Sequence, residues 1–217
     1  MSIASSIQEI KRQLPAHVQL VAVSKFNPIE ALKEAYDAGQ RLFGESQAQE
    51  LVPKAMAMPD DVKWHFIGHL QTNKVKYIID KVSMIHSLDS ISLAQEIEKQ
   101  AAKHGIVMDV LVEINSGAEA SKGGLLPHEV EDFCRNLSRF PHLRLRGFMT
   151  MAPKCENSDE YRKYFKETYR QCLDIWQKKL DNIGGTPILS MGMSASFEAA
   201  IMEGATMVRV GGALFRA

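Results

Sequence analysis

Apolar and polar positions change their period again and again along this chain. Ile3, Ile7, Ile10 and Leu14 recur at helical spacing, so residues 3–14 predict a leading amphipathic helix that Pro15 ends. A short apolar run at 18–24 then reads as a buried strand. Asn27-Pro28 signals a helix start, with Asn27 as N-cap and Pro28 in the first turn. Ile29, Leu32 and Ala35 face inward, and Gly39 is placed to stop that helix. The alternation continues to the end. Further strands are expected at 41–44, 64–68, 83–87, 107–114, 143–150, 187–191 and 206–211. Helices are expected from Ser46 to about Met56, and from a cap at Asp89 or Ser90 to Gly105. Others run from Pro127 through Val130, Phe133 and Leu137, from a cap at Ser158 to Leu180, and from Ser194 to Glu203.

Eight strands alternating with helices imply parallel strands under covering helices, and eight units suggest a closed (β/α)8 TIM barrel. The 217 residues lie near the lower limit for that fold, so 1–217 is read as a single domain. A doubly wound open sheet is the alternative, but it would not require the leading helix as a plug. Charge adds exclusions. Lys and Arg total 26, as do Asp and Glu, which argues against nucleic acid or a membrane surface as partner. No apolar run nears the roughly 20 residues of a membrane helix, and no signal peptide is visible at the start. Cys134, Cys155 and Cys172 are an odd number without metal spacing. They read as reduced thiols in a cytoplasmic protein.

In a barrel, polar residues at strand C-terminal ends converge on one face. Here those positions read Lys25, Glu45 and Ser46, His69, Asn115, Met149, Ser190, then Arg209 with Gly211. Lys25 ends an apolar strand and shares the parity of Val21 and Val23. On the strand alone, a lysine bending out to solvent is the simpler reading. At the rim of an apolar barrel, desolvation would instead favour the neutral amine, a nucleophile for aldehydes. Gly211-Gly212 lets backbone N–H groups approach an anion, and Ser194 opens a helix whose first amides could hold a phosphate. An amine for an aldehyde plus a cradle for a phosphate describes pyridoxal phosphate. Arg209, always protonated, would donate to the pyridine nitrogen and weaken the ring as an electron sink. Its plainer reading is an ion pair with Glu113 or Glu203.

Several motifs carry a family resemblance. They are Val21-Ala22-Val23-Ser24-Lys25, Phe43-Gly44-Glu45, Trp64-His65-Phe66-Ile67-Gly68-His69-Leu70-Gln71, Gly147-Phe148-Met149-Thr150-Met151, Leu189-Ser190-Met191-Gly192-Met193-Ser194 and Gly204-Ala205-Thr206-Met207-Val208-Arg209-Val210-Gly211. Together they resemble the pyridoxal phosphate homeostasis protein family over nearly the whole chain. The resemblance implies a barrel similar to the N-terminal domain of alanine racemase, with the cofactor on Lys25 as a Schiff base. It implies a role in storing or delivering the cofactor, with no established reaction. The expected cofactor-binding set is Lys25, Ser46, His69, Met149, Ser190, Ser194, Arg209, Gly211 and Gly212. Apo forms of enzymes that use the cofactor are the expected partners, and a monomer the expected state. Three positions depart from the pattern: Ser46 replaces a usual asparagine, Ser196 a common acidic residue, and the chain ends Phe215-Arg216-Ala217 rather than Phe-Gly.

Two competing readings come from other classes. A racemase would need acid and base groups on both faces of the bound substrate. In the resembling enzymes one comes from a second domain, which this chain is not expected to have. A Schiff-base aldolase without cofactor would hold a sugar phosphate. His65 and His69 have the spacing of a helical metal pair but lie on a strand, so no metal site is expected. Residues 115–124 form a long loop of small residues, expected to be mobile. Its one lysine, Lys122, is a candidate to pass the cofactor outward by transimination; the alternative is an ordinary solvated lysine. Glu and Lys on the helices read as solvated faces.

Overall fold

Eight parallel strands close on themselves in chain order in the computed structural model, which describes residues 2–119 and 122–215. The strands are β1 (Gln19–Val23), β2 (Leu42–Glu45), β3 (Lys63–Phe66), β4 (Met84–Leu88), β5 (Met108–Ile114), β6 (Leu143–Thr150), β7 (Ile183–Ser190) and β8 (Met207–Val210). The closing seam pairs Gln19 with Met207 and Ala22 with Val210. The helices are α1 (Ile3–Gln13), α2 (Ile29–Asp37), α3 (Ala48–Ala57), α4 (Val75–Ile78), α5 (Ile91–His104), α6 (Val130–Leu137), α7 (Ser158–Gln177), α8 (Phe197–Met202) and α9 (Gly212–Phe215). The expected (β/α)8 barrel is therefore the fold.

Most apolar burial lies between the strand ring and the helices, where Leu32, Phe43, Leu51, Phe66, Ile97, Phe148 and Phe165 are buried. The barrel interior holds a small separate cluster of Met84, Leu111 and Met149, with Ile188 against it. Helix α1 packs beside α2 and α9 and completes the outer ring; it does not plug the barrel.

Boundaries differ from expectation in instructive places. Asn27 does not cap α2: its side chain donates back to the Lys25 carbonyl at 3.0 Å, and Pro28 takes the N-cap position. Asn157, not Ser158, caps α7 by accepting from the Glu160 amide. Ser90 does cap α5, accepting from the Leu93 amide at 3.3 Å. Helix α8 starts at Phe197 behind Ser196, so Ser194 lies ahead of the helix rather than at its first turn. The short α4 and α9 have too few turns to show a period. Strand β7 begins at Ile183, four residues before the expected 187, and takes in Gly184 and Gly185, the latter at φ 67°. Its pairing with β6 shifts register between Leu145 and Gly147. Gly147 sits there at φ 149°, and a Cβ on it would collide with the Ile188 carbonyl.

Candidate functional site

Lys25 lies in a turn just past β1, not in the strand. The Asn27 amide donates to the Ser24 carbonyl at 3.1 Å, and Phe26 adopts φ 62°. The amine leaves the ladder at that point and is exposed, with Nζ 5.9 Å from the centre of the Phe26 ring. The expectation of a lysine desolvated at an apolar rim is corrected accordingly.

A buried charge cluster fixes that turn. The Lys54 ammonium, on α3, donates to the Ser24 carbonyl at 2.9 Å, to Glu45 Oε1 at 2.7 Å and to Glu50 Oε2 at 2.8 Å. The Ser24 hydroxyl donates to the same Glu45 oxygen at 2.7 Å, and the Phe26 amide donates to Glu50 Oε2 at 2.8 Å. Glu45 is fully buried. Burial pushes its carboxyl above the usual range, against the pull of Lys54 and Ser24. Glu45 thus turns away from the mouth into the layer between β2 and α3. The Glu50/Lys54 pair has the four-residue spacing of a solvated helix face, and that spacing hid it from sequence reasoning.

Arg209 on β8 is buried inside the barrel, 3% exposed. Its Nη1 donates to the Ser190 carbonyl at 2.6 Å and the Ser190 hydroxyl at 2.7 Å; Nη2 donates to the Thr150 carbonyl at 2.9 Å. It is hydrogen-bonded to neither Glu113 nor Glu203, and Glu203 pairs with Arg162 at 2.7 Å. A guanidinium has five N–H groups. Nε–H and one hydrogen on Nη2 remain without a partner among the described residues. Nearby, burial and then the Asp89 charge push the Glu113 carboxyl up to about 7, while Arg209 pulls it down.

The loops after β7 and β8 do meet. Ser194 Oγ accepts from the Ala213 amide at 3.4 Å, and a Cβ on Gly212 would reach it at 4.0 Å. Gly211 lies against β1, where a Cβ would sit 3.0 Å from the Val23 carbonyl. The β1–β8 seam therefore sets Ser194, Gly211 and Gly212 beside the turn that carries Lys25. Ser46 and His69 border a separate cleft of about 250 Å³, with His69 exposed and its Nδ1 3.9 Å from Asp89. Met149 belongs to the interior apolar cluster, and the Asn115 side chain ties the following loop to the Glu119 backbone. His65 faces His86 rather than His69. No group of three or more metal-ligating side chains occurs among the described residues. A cavity of about 690 Å³ lies at the opposite, N-terminal end of the barrel.

Comparison with known proteins agrees with this architecture. The family described as alanine racemase, N-terminal domain, matches residues 1–217. A pyridoxal phosphate homeostasis protein of Aquifex aeolicus is 46% identical over 91% of this chain and 86% of its own length. One from Schizosaccharomyces pombe is 39% identical over 92% and 84%. Among solved structures, PipY of Synechococcus elongatus PCC7942 with PLP bound superposes with TM-score 0.89 at 34% identity, covering 98% of this chain and 99% of that one. An alanine racemase of Clostridium difficile 630 gives 0.79 at 18% identity, covering 98% of this chain and 56% of its own, a likeness of fold. With identity of this order along nearly its whole length, the chain belongs to the pyridoxal phosphate homeostasis proteins, within the alanine racemase N-terminal domain family.

Proposed function

We propose that this protein binds pyridoxal 5'-phosphate at the C-terminal mouth of its barrel and holds it for storage and delivery. The observation that carries the reading is the β1–β8 seam. It joins an exposed amine, Lys25, to a hydroxyl and glycine amides at Ser194, Gly211 and Gly212. The donor set fits the cofactor. Lys25 would hold its aldehyde carbon, and Ser194 with the amides of Gly212 and Ala213 would hold its phosphate. The unused donors of Arg209 suit an acceptor such as an unprotonated ring nitrogen. When bound, the group supplies an aldehyde that exchanges between amines. Ser190 positions Arg209, while Ser46 and His69 border the separate cleft after β2 and β3. Met149 belongs to the interior apolar cluster and pairs in register with Ser190.

The names of the relatives and the PLP-bound PipY support the same reading. Free thiols at Cys134, Cys155 and Cys172 suit a cytoplasmic setting, and no helix among the described residues is long and apolar enough to cross a membrane. Apo-enzymes are the receiving partners in this scheme, and the protein acts as a monomer. The test is a visible spectrum of the purified protein with and without borohydride. The wild type should be yellow and should retain label on a peptide containing Lys25 after reduction. A Lys25→Ala protein that keeps the full band would overturn the assignment.

A further inference from the structure

The cavity at the N-terminal end of the barrel is unlike the mouth. It holds about 690 Å³, within the range of small-molecule sites. Lys11, Arg41, Lys63 and Arg146 line it, against the single carboxylate of Asp109. That carboxylate is already taken by Arg144 at 2.5 Å and Arg146 at 2.9 Å. Arg146 Nε is buried without an acceptor, and Lys63 makes no ion pair among the described residues. Burial, and then the Arg41 charge, hold the Lys11 ammonium below its usual range. Arg41 is paired with Asp61 at 2.8 Å, so the uncompensated charge at the cavity comes from Lys11 and Lys63, which make no ion pair among the described residues, with Arg146 Nε as a free donor.

His65 also lines this cavity, and the barrel interior decides which of its nitrogens carries the proton. Arg209 can only donate, so the Ser190 hydroxyl accepts from it and has its own hydrogen free for His86 Nδ1 at 3.0 Å. Burial pushes His65 down to about 3 and His86 well below the ordinary range, so both rings are neutral at pH 7. His86 then donates from Nε2 to His65 Nδ1 at 2.9 Å. That leaves the His65 proton on Nε2, a neutral donor at the cavity wall.

We propose that this cavity is a second binding site, separate from the mouth, for a small phosphate compound of at least two negative charges. Lys11, Arg41, Lys63 and Arg146 supply the charge, and His65 donates from Nε2. The assignment does not depend on the cofactor reading.

Pyrophosphate is the probe, titrated calorimetrically into cofactor-loaded protein at about 50 mM salt, where screening is modest. One site with Kd below ~1 mM is expected. Lys63→Gln, an exposed substitution that leaves the fold alone, should weaken it at least threefold, and Lys63→Gln with Arg146→Gln at least tenfold. Ser194→Ala should leave it unchanged. In the same titration the His65 ring signals should move in an NMR spectrum. Absence of binding, binding insensitive to Lys63→Gln, binding lost with Ser194→Ala, or static His65 signals would each overturn the site. The Lys25 spectrum reads the cofactor proposal separately, so failure of one is not failure of the other.

Discussion

The ammonium of Lys54 donates to the carbonyl of Ser24 at 2.9 Å, from a different element and 30 residues away. Through that bond and its partner Glu45, a buried ion pair fixes the backbone immediately before Lys25. Removing one member of a buried pair leaves a charge without compensation, which typically costs about 3–5 kcal/mol. Lys54→Met should therefore lose stability of that order at pH 8 in urea unfolding. The loss should be smaller at pH 5, because burial already raises the Glu45 carboxyl and without Lys54 it takes up a proton more readily as pH falls. Glu45→Gln combined with Lys54→Met should recover much of it. Equal losses at both pH values would contradict the account.

Glu113 sets a second pH dependence. Its carboxyl is raised from 4.5 to about 7 in the fold, chiefly by burial. The folded state binds the proton more tightly than the unfolded chain, so stability falls as pH rises from 4.5 through 7. Glu113→Gln should remove that slope. The variant should gain up to about 3 kcal/mol over wild type at pH 8 and nothing near pH 4.5. Thermal or urea midpoints across this range are the measurement.

Ser194→Ala tests the phosphate cradle. Losing a hydrogen bond to a charged group costs roughly 1.5 kcal/mol, about tenfold in affinity for pyridoxal 5'-phosphate. Binding of pyridoxal, which lacks the phosphate, should be unaffected. A tenfold loss for both ligands would place Ser194 in the fold rather than in the cradle.

Lys122 is held by its own loop. Its amine lies 2.5 Å from Glu119 Oε2 and 3.3 Å from the Ala152 carbonyl. Of the loop expected at 115–124, Ala120 and Ser121 lie outside the described residues, as do Arg216 and Ala217 of the departing terminus. If Lys122 passes the cofactor on, Lys122→Ala should load normally yet transfer more slowly to an apo-enzyme. Unchanged transfer with normal loading would leave Lys122 without that role.

Racemase chemistry should be negligible. On the proposed binding mode Arg209 would offer only donors to the ring nitrogen and would hold it unprotonated, which weakens the ring as an electron sink. Deuterium exchange at the α-carbon of alanine in heavy water should stay far below the ~10 s⁻¹ typical of enzymes. Turnover near that value would reject the carrier reading.

The strands were legible because each is a short apolar run between turn signals, and parity along β8 put Arg209 inside the barrel. The anchor of Lys25 was not legible. Lys54 sits at solvated-face spacing from Glu50, and only the approach of α3 to the ends of β1 and β2 buries it. Serine favours helix starts, so the sequence places Ser194 at the opening of a helix. The chain instead turns once more before α8, and Ser196 Oγ accepts from the Met193 amide. The cationic cavity was invisible for a related reason. Lys11, Arg41, Lys63 and Arg146 are far apart in sequence, and only closure of the ring gathers them.

A motif is commonly read as a roster of ligand contacts, and Gly147-Phe148-Met149-Thr150 invites that reading. Gly147 earns its place differently. Any side chain there would strike the Ile188 carbonyl across the β6–β7 shift. A library of variants at this position should therefore sort by yield of folded protein, with glycine alone recovered in quantity. A homologue search weighted on the motif scores, at this letter, whether a barrel can close and not what it holds.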